Sequence, residues 1–223
     1  MYTVGKSGEE KIYIAGPEGK LEASVSGLGT PLQVSNIGII CHPHPLYQGT
    51  MHNKVVTSVT RTWQKIGLAT IRFNFRGVGE SEGHYGEGQG EIEDLKAVIV
   101  FVQQRYPEAK IWLAGFSFGA IISAIVASDI PDLAGLLSMA PAVTFFDFTK
   151  MHKLKCPWLI IHGEKDELVP VKAVKNWYES LKNQNNEEQY LELIILPDTT
   201  HLFHNHLNDL KVNVEHFMIK FLA

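Results

Sequence analysis

The stretch from Lys110 to Ser128 limits what this chain can fold into more than any other. An apolar run, 111–114, has the length and character of a buried strand. It runs into Gly115-Phe116-Ser117-Phe118-Gly119, after which small and branched apolar residues continue at a length only a helix fits. The chain holds 19 glycines, so G-x-S-x-G alone is a weak signal, and its place between strand and helix supplies the weight. A serine on so sharp a turn sits in a strained backbone conformation. Side chains two residues away on either side would strike the neighbouring strand and helix, hence the glycines. The same turn puts Ser117 at a helix N-terminus, where N–H groups and the dipole favour developing negative charge. This reads as a nucleophile elbow.

Around that element, 223 residues suit one α/β domain covering the whole chain, 1–223. Residues 11–15 and 20–26 alternate in polarity across Gly16-Pro17-Glu18-Gly19, the signature of an antiparallel hairpin. Strands are then expected at 37–41, 69–75, 111–114, 135–139, 158–161 and 191–196. Helices are expected between them at 52–66, 90–105, 118–128, 171–182 and 207–222. Such alternation predicts crossover units and a mostly parallel sheet with helices on both faces. The Gly-rich segment 77–90 reads as a functional surface loop. A net charge of −4 offers no basic footprint for nucleic acid or anionic lipid. With two cysteines, Cys41 and Cys156, each beside a strand-like run, a disulfide framework is not expected, and the setting is read as reducing. The first residues lack a signal-peptide core and no run is long enough for a membrane span, so the expectation is a soluble cytoplasmic protein.

A serine nucleophile needs a base, an acid that orients the base, and N–H donors for the oxyanion. Strand 158–161 runs into Glu164, Asp166 and Glu167; strand 191–196 runs into His201, with His204 and His206 beyond. Serine, then acid, then histidine, each on a loop after a parallel strand, would all open on one sheet edge.

With these segments in hand, the chain resembles the α/β-hydrolases from about residue 30 to its end. Within them it is most similar to small lidless enzymes of the dienelactone-hydrolase-like and esterase-like kind. The likeness rests on Cys41-His42-Pro43-His44-Pro45-Leu46-Tyr47-Gln48-Gly49-Thr50-Met51-His52-Asn53-Lys54-Val55-Val56, on Arg72-Phe73-Asn74-Phe75-Arg76-Gly77-Val78-Gly79-Glu80-Ser81, and on the elbow, acid and histidine segments. It implies Ser117 as nucleophile, Asp166 as acid and His201 as general base, with Glu164, Glu167, His204 and His206 as lesser competitors. One oxyanion donor would be the Phe118 N–H. The other would come from the loop after the third strand, where Pro43 and Pro45 have no N–H and His44, Leu46 and Tyr47 remain; Leu46 is the choice. His42-Pro43 replaces the usual His-Gly pair and Gln48 stands where glycine is common, so a differently shaped oxyanion loop is expected.

The implied activity is hydrolysis of a small carboxylic ester of short acyl chain through an acyl-enzyme, with thioester or small-amide hydrolysis as variants. A non-catalytic binding protein on the same fold is the rival. No cofactor is expected, and no metal, because the histidines form no ligand pattern. Arg72 and Arg76 could bind an anionic group but more often structure their own loop, and Phe145, Phe146 and Phe148 could line an acyl pocket or pack a core. Only residues 140–155 separate strand 135–139 from Cys156-Pro157, too few for a cap domain.

Overall fold

Two antiparallel strands open the chain, β1 (Glu10–Gly16) and β2 (Gly19–Ser26), in the register Glu10↔Val25 through Gly16↔Gly19. Six more complete the sheet: β3 (Asn36–Cys41), β4 (Ala69–Phe73), β5 (Lys110–Phe116), β6 (Gly135–Met139), β7 (Trp158–Gly163) and β8 (Leu191–Leu196). Their spatial order is β1-β2-β4-β3-β5-β6-β7-β8. β2 meets β4 antiparallel, and every later pairing is parallel. This is an α/β-hydrolase fold seen in a computed structural model that describes residues 8–144, 153–184 and 189–222.

Among the described residues five helices cover the sheet: α1 (Lys54–Lys65), α2 (Gln89–Arg105), α3 (Phe118–Ala127), α4 (Val171–Gln184) and α5 (Leu207–Phe221). Strand residues divide between the two faces with period two, as a pleated strand requires. Ile111 and Leu113 of β5 join one core with residues of α2, α3 and α4. Trp112, Ala114 and Phe116 join the other with α1 and α5. Buried on both faces, the central strands read as the continuous apolar runs seen in the sequence.

β4 stops at Phe73, two residues before the expected end. The reason lies in where the next N–H groups go. Asn74 still donates to the Glu22 carbonyl at 2.8 Å, but the Glu22 N–H goes to Ser81 Oγ at 2.9 Å and the Phe75 N–H to His42 Nε2 at 3.0 Å. α1 starts two residues late because the Asn53 side chain caps it, accepting the Val55 N–H at 2.8 Å.

Residues 140–157 are all that join β6 to β7, and among the described residues the fold carries no cap domain. Phe145, Phe146 and Phe148 lie outside the described residues. Arg72 and Arg76 are buried and internally paired. Arg72 donates to the Met51 carbonyl at 2.8 Å, and Arg76 grips Asp94 through Nε and Nη2, at 3.0 and 2.8 Å to Oδ1. Both hold their loops together. Cys41 and Cys156 are buried free thiols, each pushed up to about 12 by burial. Among the described residues no helix is long and apolar enough to cross a membrane, and no group of three or more His, Cys, Asp or Glu could hold a metal ion.

Candidate active site

The carboxyl ends of β3, β5, β7 and β8 bring four loops to one sheet edge. Ser117 lies between β5 and α3 with φ 55° and ψ −114°, a conformation L-residues rarely hold. Neighbouring contacts over-determine it. Its N–H donates to the Met139 carbonyl at 2.9 Å. A Cβ at Gly115 would fall 2.1 Å from the Gly119 carbonyl oxygen, and one at Gly119 only 2.4 Å from that of His42. Only glycine lets α3 approach β3 this closely.

His201 is 4% exposed, and its Nε2 lies 3.0 Å from Ser117 Oγ. Its Nδ1 lies 2.8 Å from Asp166 Oδ2. An ionised carboxylate only accepts, so Nδ1 carries the proton and Nε2 presents its lone pair to the serine hydroxyl. Phe116 backs the imidazole with ring centroids 5.2 Å apart. The other oxygen of Asp166 accepts the N–H groups of Leu168 and Val169, at 2.9 and 2.8 Å. Burial works against the charged carboxylate. The bond from His201, that ring's positive charge when protonated, the Val169 N–H and His162 outweigh it, holding Asp166 below the ordinary carboxylate range.

Around this chain of contacts lie His162, which the sequence did not single out, and the competing acids and histidines named from it. His162, fully buried at the end of β7, lies 3.0 Å from the Val169 carbonyl oxygen through Nε2 and 3.6 Å from Asp166 Oδ2. Burial pushes its pKa down, against the pull of Asp166. Glu164 and Glu167, the competitors of Asp166 in the sequence, each accept a backbone N–H from the histidine loop. Glu164 takes that of Asp198 at 3.2 Å, and Glu167 that of His201 at 3.1 Å. His204 is exposed, and His206 pairs with Asp209 at 2.9 Å; neither joins the chain from Ser117 to Asp166.

Phe118 opens α3 directly after Ser117. Across from it, the loop after β3 holds a 3-10 turn, Pro45–Tyr47. Leu46, the residue singled out from the sequence, spends its N–H on the His44 ring, at 3.2 Å to Nδ1, and is 67% exposed. Tyr47 donates to the His44 carbonyl at 3.1 Å. Of the three candidate N–H groups in this loop, that of His44 has no acceptor among the described residues, and the His44 ring lies 4.9 Å from that of Phe118. Beneath the loop, His42 is fully buried. Its Nε2 accepts the Phe75 N–H, and Nδ1, 2.6 Å from the Pro43 carbonyl oxygen, donates to it. Burial pushes His42 down to about 4, so it is neutral at physiological pH.

Sequence comparison agrees with the architecture. The family model for serine aminopeptidases (S33) matches residues 49–147, and that of the prolyl oligopeptidase family matches 139–223. A serine hydrolase of Xanthomonas campestris described as lacking a lid is 35% identical, with a TM-score of 0.84 over 98% of this chain and 97% of its own. This chain belongs to the α/β-hydrolase superfamily. An α/β serine hydrolase homologue from Coxiella burnetii is 43% identical to this α/β-hydrolase, with a TM-score of 0.82 over 97% of this chain and 99% of its own. An uncharacterised protein of Rickettsia prowazekii is 32% identical over 213 residues, 94% of this chain and 88% of that protein.

Proposed function

We propose that the whole chain acts as one domain and hydrolyses small carboxylic esters, with Ser117 as nucleophile, His201 as general base and Asp166 as the acid that orients it. The observation that carries the reading is the unbroken contact chain from Ser117 Oγ through His201 to Asp166, at 3.0 and 2.8 Å, on a serine held at φ 55°.

In the reaction, His201 Nε2 takes the hydroxyl proton as Oγ bonds to the ester carbonyl carbon. The carbonyl π pair moves to oxygen. On collapse the bond to the leaving alkoxide breaks, and the His201 proton goes to that oxygen. Water then repeats the sequence on the acyl-serine and releases the acid. Ionised Asp166 keeps the Nδ1–H tautomer and stabilises the imidazolium. Phe118 and His44 supply the N–H groups that receive the oxyanion. His44 takes the place assigned from sequence to Leu46, because the Leu46 N–H already has the His44 ring as acceptor. One such donor is typically worth about 3 kcal/mol in the transition state.

With no cap domain over the serine among the described residues, a long acyl chain would stay wet along most of its length and forfeit about 0.8 kcal/mol per methylene. Acetate and butyrate should therefore be preferred over octanoate and palmitate. The test pairs fluorophosphonate labelling of wild type and Ser117→Ala with turnover of p-nitrophenyl esters of those four acids, a thioester and an anilide. Labelling and turnover lost together in the variant, with short esters fastest, support the proposal. No turnover and no labelling of the wild type would favour a binding protein on this fold.

A further inference from the structure

We propose that the His44 side chain is the positioning residue of the oxyanion turn: by capping Leu46 through Nδ1 and engaging Tyr85 through Nε2, it fixes the direction of its own backbone N–H. The inference rests on the serine-hydrolase reading above and adds a side-chain role to a position that reading uses only through its backbone.

The turn has few means of holding itself. Pro43 and Pro45 contribute no N–H, and the His44 carbonyl takes both the Tyr47 and the Gly49 N–H at 3.1 Å. Gln48 sits left-handed at φ 60°, a conformation costing a non-glycine residue roughly 1 kcal/mol. A Cβ at Gly49 would fall 2.0 Å from the Pro43 carbonyl oxygen, so the chain doubles back on itself at contact distance. A turn this tight and this poor in backbone bonds opens easily unless a side chain closes it.

His44 is that side chain. Its Nδ1 accepts the Leu46 N–H at 3.2 Å, which fixes the tautomer: with Nδ1 accepting, the neutral ring carries its proton on Nε2. That proton then faces Tyr85 Oη at 3.1 Å, and the phenol oxygen is the acceptor. The ring is also packed, with centroids 4.9 Å from Tyr47, 5.0 Å from Tyr85 and 4.9 Å from Phe118. Phe118 carries the opposing N–H of the oxyanion hole, so one imidazole braces both sides of it. Tyr85 is itself held in place. It precedes Gly86 and Gly88, whose N–H groups donate to the buried Glu91 at the start of α2, at 2.9 and 2.7 Å. The Gly-rich loop thus gains a function: it anchors the oxyanion turn to α2 through Tyr85 and His44.

A misdirected donor weakens the transition state far more than the ground state. The test compares Ala, Asn and Gln at position 44 with p-nitrophenyl acetate, reading kcat and KM separately, alongside the rate of fluorophosphonate labelling and a thermal melt of each variant. Asn places Oδ1 where the imidazole has Nδ1 and is a strong cap; Gln reaches toward Tyr85 but offers no δ acceptor. His44→Ala should lower kcat roughly 10- to 100-fold with KM within about threefold of wild type. His44→Asn should recover most of that kcat, and His44→Gln should not. His44→Ala at wild-type kcat, or Asn no better than Gln, overturns the inference. Should the alanine variant fail to fold, the comparison of Asn with Gln decides. Ser117→Ala separates the two readings. If it is inert while every position-44 variant runs at wild-type speed, only the His44 role is lost; if it still labels and turns over, the serine-hydrolase reading falls as well.

Discussion

Glu167 accepts the backbone N–H of His201 at 3.1 Å, one residue along the chain from the carboxylate that accepts the hydrogen bond from His201 Nδ1. Adjacent residues of the loop after β7 therefore hold the same histidine by its main chain and by its ring. Lys165 adds a third tie, donating its N–H to the Thr199 carbonyl at 2.9 Å. The two loops close like a clasp around the base.

From this clasp follows a graded effect at position 167. Glu167 is exposed, and a hydrogen bond there contributes about 1 kcal/mol. Glu167→Ala should lower kcat by about three- to tenfold, while Glu167→Gln, which keeps an acceptor oxygen, should stay within twofold or so. Steady-state kinetics on both variants with p-nitrophenyl acetate check this. Equal losses in the two would mean the charge, not the acceptor, is what matters.

Asp166→Asn should behave quite differently. The amide oxygen can still accept from Leu168 and Val169, so the loop and the melting temperature should change little. The amide N–H₂, turned to His201, would favour the wrong tautomer and present a proton to Ser117. A loss on the order of 10⁴ in kcat is expected. Nitrogen NMR of the imidazole, or kcat against pH, reads the tautomer; a variant within tenfold of wild type would contradict the role given to Asp166.

How far the sequence reached is clearest at this site. The strand before Ser117, the glycines around it, and the order of serine, acid and histidine at strand ends carry local patterns, so Ser117, Asp166 and His201 stand out in the sequence; in the structure Ser117 and Asp166 each lie within hydrogen-bond reach of His201. The sheet with its antiparallel opening pair was legible for the same reason. Glu164 and Glu167 were not, because their partners, Asp198 and His201, are 34 residues away and joined through backbone N–H groups that leave no periodic trace. A count of available N–H groups leaves Leu46 open as a donor, because it cannot show the His44 ring turning back to take the Leu46 N–H. The end of β4 was misplaced by the same kind of contact, the bond from Phe75 to His42.

Acid should destabilise the protein well before its carboxylates titrate. His42 is fully buried, and burial lowers it from 6.5 to about 4; protonation would put a hydrogen where Nε2 now accepts the Phe75 N–H. Between those values the unfolded chain binds a proton that the folded chain refuses. The stabilisation is therefore complete above about pH 6.5 and is lost as pH falls toward 4, on the order of 3 kcal/mol in all. His162, also lowered by burial, adds in the same direction. Asp166, depressed below its usual 3.8, begins to contribute its own loss only as pH falls below that value. Urea unfolding at pH 7.5, 6 and 5 measures the slope, and His42→Gln, which cannot titrate, should flatten it. A stability independent of pH across that range would contradict the neutral, buried state of His42.

Gly119→Ala should be among the most damaging single changes. Its Cβ would meet the carbonyl oxygens of His42 and Cys41 at 2.4 and 2.6 Å, backbone atoms that cannot turn aside. Pushing α3 off β3 should cost roughly 1–3 kcal/mol and displace Ser117 from His201. A circular-dichroism melt and the ester assay together test this, and a variant of normal stability and rate would show that the elbow is looser than its contacts imply.

The central claim is a covalent one, that Ser117 carries the acyl group between the two halves of the reaction. Acid quenching of the enzyme during turnover of p-nitrophenyl acetate, followed by proteolysis and mass spectrometry, reads it directly. An acetyl group on the peptide spanning the end of β5 and the start of α3, assigned to Ser117 and absent from Ser117→Ala, is the expected result. Acetyl transfer to a different residue, or turnover that persists undiminished in Ser117→Ala, would contradict it.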